Sequence, residues 1–263
     1  MKNEAPAGSS ALDGRHPLAD RAPAHCAFFL DLDGTLVEIA QQPAAVQVAS
    51  ELPALIADLH AAAAGAVALI SGRPIADVDR LLRMPQLAVA GQHGAERRDA
   101  RGHLHLYAVD DRALSHLRAL AHGWGTVHRG LLIEDKGLSL ALHYRDAPEL
   151  ERALEALAHE AVRATNGEFH LQPGKMVLEI KPSGRDKGRA ISEFLGEAPF
   201  IGRMPVFVGD DVTDEYGFRA VNARGGLSIK VGDGSTDATL RLSNVDAVHR
   251  WLRSVLASAR QNE

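Results

Sequence analysis

Three short apolar runs, CAFFLDL (26–32), AVALI (66–70) and LAVAG (87–91), are separated by segments with helical spacing, ELPALIADLHAAA (51–63) and PIADVDRLL (74–82). No other feature of the chain restricts its fold as tightly. Strands that are apolar at consecutive positions are buried on both faces, and such strands need helices above and below them. The spacing predicts βαβαβ. Ser50 is expected to cap the first helix, with Pro53 tolerated in its first turn, and Pro74 to open the second. The pattern returns as helix DKGRAISEFLG (186–196), strand PVFVGD (205–210), helix TDEYGFRAVN (213–222) and strand GLSIKV (226–231). An amphipathic helix, NVDAVHRWLRSVLASA (244–259), closes the chain.

Between these halves the texture changes. LLIEDKGLSLALHYRD (131–146) and FHLQPGKMVLEIKP (169–182) alternate like half-exposed hairpins around an amphipathic helix, APELERALEALAHEAVRAT (147–165). Strand, strand, helix, strand, strand indicates a small α+β unit with one open sheet face. The expected fold is therefore α/β: a doubly wound, Rossmann-like parallel sheet at 25–107 and 181–263, interrupted by an inserted α+β domain at 108–180. Residues 1–24, rich in Ala, Pro and Gly, read as a loose tail.

Composition excludes several roles. With 29 Lys and Arg against 34 Asp and Glu, net charge −5, and no basic cluster, a nucleic-acid surface is not expected. The longest apolar run, AAAAGAVALI (61–70), is too short for a bilayer, so no membrane partner is expected. One cysteine, Cys26, and no signal-like apolar segment at the start fit a cytoplasmic protein. Oligomeric state has no signature.

In an open parallel sheet, ligands bind at the carboxyl ends of strands. Four polar stretches fall at or near such ends or at the start of a helix: DLDGT (31–35), SGR (71–73), DKG (186–188) and GDDVTDE (209–215). Each alone is ordinary turn or cap chemistry. Strand alternation points Asp31 and Asp33 to one side, where two ionised groups would raise each other's pKa unless a cation intervenes. Asp210 adds a further carboxylate, and an all-oxygen set of this kind suits magnesium.

The four stretches in this order resemble the motifs of the haloacid-dehalogenase-like phosphatases. GDDVTDE, with the insert carrying ALHYR and PGKMVLEIKP, is similar more narrowly to the trehalose-6-phosphate phosphatases. The resemblance implies a hydrolase core, an inserted cap domain, a Mg2+ cofactor and a small sugar phosphate as substrate. It implies Asp31 as nucleophile, forming an aspartyl phosphate, and Asp33 as general acid and base. Ser71 and Lys187 would complete the catalytic set, with Gly34, Gly72 and Arg73 at the phosphate. Asp31, Asp210 and the Asp33 backbone carbonyl would ligate the metal, and Asp211 and Asp214 would support that shell. Within the insert it implies Glu134, Lys136, Lys175 and Glu179 as sugar contacts, with Arg145 and Gln92 as weaker candidates.

The histidines have plainer readings. His103 and His105 form His-x-His, but without a third nearby ligand an exposed hairpin face is expected over a zinc site. His93 is expected in a structural hydrogen bond, and His143 partly buried. Two other activities fit the same core motifs: hydrolysis of sucrose 6-phosphate or mannosyl-3-phosphoglycerate, and a phosphoacceptor regulator. The second acid, Asp33, and the substrate-sized insert argue against the regulator.

Overall fold

The computed structural model describes residues 10–11, 18, 21–40, 45–174 and 176–261. Most of the 1–24 segment expected as a tail lies outside them, as does Lys175. The chain forms two compact units, Met1–His105 with Asp186–Glu263, and Leu106–Arg185.

In chain order the first part carries β1 (Ser10–Ala11), β2 (Cys26–Leu30), α1 (Leu52–Ala62), β3 (Val67–Ile70), α2 (Ile75–Leu82), β4 (Ala88–Gly91), β5 (Glu96–Arg98) and β6 (Leu104–Leu106). The insert holds α3 (Asp111–Val127), β7 (Leu132–Asp135), β8 (Leu140–His143), α4 (Glu151–Arg163), β9 (Phe169–Gly174) and β10 (Val177–Pro182). The chain then returns through α5 (Lys187–Phe194), β11 (Met204–Gly209), α6 (Glu215–Asn222), β12 (Leu227–Val231), β13 (Leu240–Leu242) and α7 (Val245–Gln261).

The larger sheet runs β1-β13-β12-β11-β2-β3-β4-β5-β6. β13 through β4 are parallel, and β5 pairs antiparallel to β4. Adjacent residues of one strand serve opposite cores. Phe28, Leu30, Val67 and Val206 pack with Leu52 and Ile56 of α1, Val78 of α2 and Val248 of α7. Ala27, Phe29, Ala68 and Phe207 pack with Ile191 and Phe194 of α5 and Phe218 of α6. This is the two-sided burial that consecutive apolar positions require, each such side chain contributing about 1.5–3 kcal/mol. From β2 the chain order proceeds to β3 and β4 on one side and to β11 and β12 on the other, so β2 and β11 flank the switch point where ligands bind in such sheets.

In the insert the sheet order is β7-β8-β10-β9, all antiparallel. One face, with Leu140, Leu142, Leu178 and Ile180, packs on Leu114 and Leu117 of α3 and Leu154 of α4. Two expectations change. α3 adds a helix that the strand, strand, helix, strand, strand reading did not contain. Ser50 does not cap α1: its hydroxyl donates to Glu51 Oε2 at 3.3 Å, and the helix starts after Glu51 without a side-chain cap.

Candidate active site

β2 and β11 end side by side, and the residue after each is an aspartate. The Asp31 amide still donates to Val208 O of β11 at 3.0 Å, which pins the first aspartate to the sheet edge. Lys187 opens α5 directly after Asp186, whose side chain caps that helix by accepting from the Arg189 amide at 2.8 Å. The buried Lys187 ammonium donates to Asp31 Oδ1 and Asp214 Oδ1, both at 2.7 Å. Asp214 Oδ2 accepts from the amides of Asp210 and Asp211 at 3.0 and 2.9 Å, in a capping box that shapes the turn after β11. A Cβ on Gly209 would lie 2.3 Å from Asp214 Cγ, so the glycine admits that carboxylate beneath the strand end.

Asp31, Asp210 and Asp214 each offer an oxygen within 4.8 Å of the others, the one such group of three ligating side chains among the described residues. Burial above all pushes the Asp31 carboxyl well above its usual range; Lys187 opposes this, and Asp214 and Asp210 add to it. Burial, with Asp214 and Asp211 adding and Lys187 opposing, lifts Asp210 to about 6. Burial works against the Lys187 ammonium, but Asp214 and Asp31 outweigh it and hold its pKa above the ordinary value. Three carboxylates thus face one ammonium. That surplus of negative charge on oxygen donors fits a hard divalent cation such as Mg2+.

Asp33 is dealt with separately. Arg73 grips it in a bidentate pair, Nε to Oδ2 at 2.6 Å and Nη2 to Oδ1 at 2.7 Å. The two acids thus pair with different cations, and what lifts Asp31 is burial with Asp214 and Asp210, with Asp33 not among the causes. Between them in sequence, Leu32 is buried in the core. Gly34, at φ +82°, turns the chain back, its amide donating to Val37 O at 2.7 Å.

Ser71 follows β3 and is buried; its hydroxyl accepts from the Arg73 amide at 3.0 Å. The GQHG turn clamps this loop, with the Gln92 amide donating to Arg73 O and the His93 amide to Ser71 O, both at 3.0 Å. A Cβ on Gly72 would stand 2.8 Å from His93 Nε2, so the imidazole closes on the glycine. His93 thus has a packing role. Glu96 Oε1 buttresses the same loop, accepting from the Ile75 amide at 2.8 Å and Gln92 Nε2 at 3.2 Å.

Sequence reasoning missed two residues here. Lys230, buried on β12, donates to the Asp210 backbone carbonyl. The buried Thr35 hydroxyl donates to Asp210 Oδ1 at 3.5 Å. A lysine next to the end of the strand GLSIKV was the available signal for the first; the threonine of DLDGT was the signal for the second.

In the insert, Glu134 on β7 and Glu179 on β10 share the register row of Ala141 on β8, on the face away from the helices. Gln172 of β9 continues that row. Lys136 Nζ donates to Glu179 Oε1 at 3.1 Å, Ser139 Oγ to the same oxygen at 3.3 Å, and His143 Nε2 lies 2.8 Å from Glu134 Oε2. The His143 hydrogen bond holds the Glu134 carboxyl below its usual value, against its partial burial. Arg145 is exposed. His103 and His105 both turn to the nearly buried Asp99, with ring nitrogens 3.3 and 3.0 Å from Oδ2. No helix among the described residues is long and apolar enough to cross a membrane.

Comparison with known proteins agrees with this geometry. The profile of the trehalose-phosphatase family matches residues 29–246. The trehalose-6-phosphate phosphatase of Escherichia coli (strain K12) is 44% identical over 235 residues, covering 89% of this chain and 88% of its own. Among solved structures, a trehalose-6-phosphate phosphatase related protein superposes with TM-score 0.74 at 26% identity, over 90% of this chain and 99% of that one. The C-terminal domain of the C. albicans trehalose-6-phosphate phosphatase shares the fold, with TM-score 0.82 at 21% identity over 95% and 99% of the two chains. With the family profile spanning both carboxylate-bearing strand ends and the whole insert, this chain belongs to the trehalose-phosphatase family.

Proposed function

We propose that this phosphoric monoester hydrolase converts trehalose 6-phosphate to trehalose and phosphate, with Mg2+ as cofactor. The observation that carries the reading is the Asp31–Lys187–Asp214 cluster beside Asp210, together with a second acid, Asp33, tied to a different cation. Asp31, Asp210 and the backbone at Asp33 would hold the metal, with Asp211 and Asp214 behind them. When bound, the cation offsets the charge of the carboxylates and of the substrate phosphate.

Asp31 Oδ attacks phosphorus, and the bond from phosphorus to the sugar oxygen breaks as Asp33 gives that oxygen its proton. Water then attacks the aspartyl phosphate, returning a proton to Asp33 and releasing phosphate with Asp31 restored. Lys187 holds the Asp31 oxygen in place and adds positive charge where the transferring group gains negative charge. Arg73 orients Asp33, while Ser71, Gly72 and Gly34 line the approach of the phosphate. Glu134, Lys136, Lys175 and Glu179 bind the sugar hydroxyls in this reading.

The test is phosphate release from a panel of trehalose, sucrose and glucose 6-phosphates and mannosyl-3-phosphoglycerate, with Mg2+ or with chelator. Turnover is expected to favour trehalose 6-phosphate and to vanish on chelation. Preference for another ester, or full activity without metal, overturns the reading.

A further inference from the structure

A cavity of about 430 Å³ lies at the amino edge of the core sheet, where Met204 and Pro205 begin β11, and Arg21, Arg203, Arg224 and Leu195 line it with them. The three arginines come from three separate segments: the loop before β2, the turn before β11 and the turn after α6. Among the described residues no carboxylate lines the cavity. In a chain of net charge −5, three arginines on one cavity with no acid among the described lining residues make a locally positive site. We propose that this cavity binds a phosphoanion, an organic diphosphate or pyrophosphate itself, away from the catalytic carboxylates.

Two of the three guanidiniums are fixed in advance. Arg203 Nη1 donates to Ala63 O, and Arg224 Nη1 donates to Ala220 O at 2.8 Å. Each anchor uses one nitrogen of a group with five donors, and the others meet no partner among the described residues. The guanidinium of Arg21 meets none there either. Several backbone donors of the lining are already consumed, among them the Arg203 amide on Phe200 O at 3.2 Å and the Gly225 amide on Asn222 O at 3.0 Å. The arginines offer planar, forked, cationic donors, which suit phosphate oxygens.

The positive field reaches into the fold. Burial raises the Cys26 thiol to about 11, while Arg21 and Arg203 both pull it back. Cys26 is the register partner of Met204 across β2 and β11. Leu195, Met204 and Pro205 add apolar side chains to the lining, and the volume lies within the range of small-molecule sites. The cavity is not the phosphate subsite at Asp31. The full length of β11, roughly 20 Å at about 3.3 Å per residue, separates Met204 from Asp210. The inference does not depend on which sugar phosphate the active site hydrolyses.

Calorimetric titration of the full chain with pyrophosphate and with ADP, in chelator, tests this. One equivalent of at least one of them is expected to bind, more weakly as KCl rises. Arg21→Glu and Arg224→Glu, both at exposed positions, are each expected to weaken binding tenfold or more, whereas Lys187→Gln retains it. Both arginine variants are expected to keep aryl phosphate hydrolysis with Mg2+ within twofold of the unaltered protein, which also shows that they fold. Tighter binding of ADP identifies a nucleotide, and equal affinity identifies the phosphoanion alone; either supports the site. Absence of binding at millimolar concentration overturns it. So does binding that disappears in Lys187→Gln but survives Arg21→Glu and Arg224→Glu.

Discussion

At Gly34, a Cβ would lie 2.2 Å from Asp210 Oδ2, and the φ of +82° disfavours any side chain. Gly34→Ala is therefore expected to displace Asp210 and lower turnover by about 100-fold or more, an effect of roughly 2.7 kcal/mol on the barrier. A far smaller loss in steady-state assays would mean that Asp210 is dispensable. The neighbouring acids separate by leaving group. Asp31→Asn is expected to abolish hydrolysis of every ester. Asp33→Asn should cost a sugar phosphate much more than a nitrophenyl phosphate, whose leaving group needs little protonation. Because Arg73 holds Asp33 through two nitrogens, Arg73→Met should follow the Asp33 pattern; equal losses on both esters would exclude this orienting role. These acids were legible in the sequence because Asp-x-Asp-Gly and Gly-Asp-Asp close apolar runs. Their cations were only half legible. Lys187 stood out beside Asp186, but the Arg73 pairing and the Lys230 contact depend on which strands lie side by side, and residue spacing does not state that.

Elements follow the same division between local and non-local causes. Strands β2, β3, β4 and β11 could be read from largely consecutive apolar residues, because burial on both faces leaves that mark. β5, β6 and β13 are three residues each, too short to show a period. Helix α3 carries Gly123, Gly125 and two histidines, weak helix formers that blur its apolar stripe, and packing in the insert's core decides its state. In the insert's sheet, alternation gave the open face, and the row Glu134–Ala141–Glu179–Gln172 lies on it. Glu179 is nearly buried and holds both Lys136 and Ser139. Glu179→Ala and Lys136→Ala are expected to lower kcat/KM for trehalose 6-phosphate about tenfold or more, since polar groups left unpaired cost about 1–3 kcal/mol each. Hydrolysis of a small aryl phosphate should stay within a few-fold. Parallel losses on both substrates would remove the sugar-reading role from this face.

For the whole molecule, Cys26 links stability to pH. Its folded pKa, about 11, lies above an ordinary thiol value near 9 because the thiol is buried. Stability from this group is complete below pH 9 and falls as pH rises towards 11, because the unfolded chain loses its proton first. Urea midpoints at pH 8 and 10.5 should therefore drop further for the unaltered protein than for Cys26→Ala. An equal drop in both would sink the assignment. A second prediction uses the insert's own core around Leu117, Leu142 and Phe169. A fragment of residues 106–185 is expected to melt cooperatively by circular dichroism, and a non-cooperative trace would refute that independence. The expected division of the chain rests on the period of the apolar residues, which changes twice along it.

The two ends of that insert meet. Arg185 lies over the Tyr107 ring at 5.2 Å, and the Ser183 amide donates to Glu168 O at 2.8 Å near the Asp110 amide, which donates to the Glu168 carboxylate. The departing and returning chains are therefore neighbours, so in connectivity the insert is a branch that leaves and rejoins the trunk at one place. Residues can be added to, lost from or exchanged within such a branch while the strand order of the trunk stays as it is. Selection, or a designer, can therefore graft a different branch for a different ester and inherit the hydrolytic trunk intact.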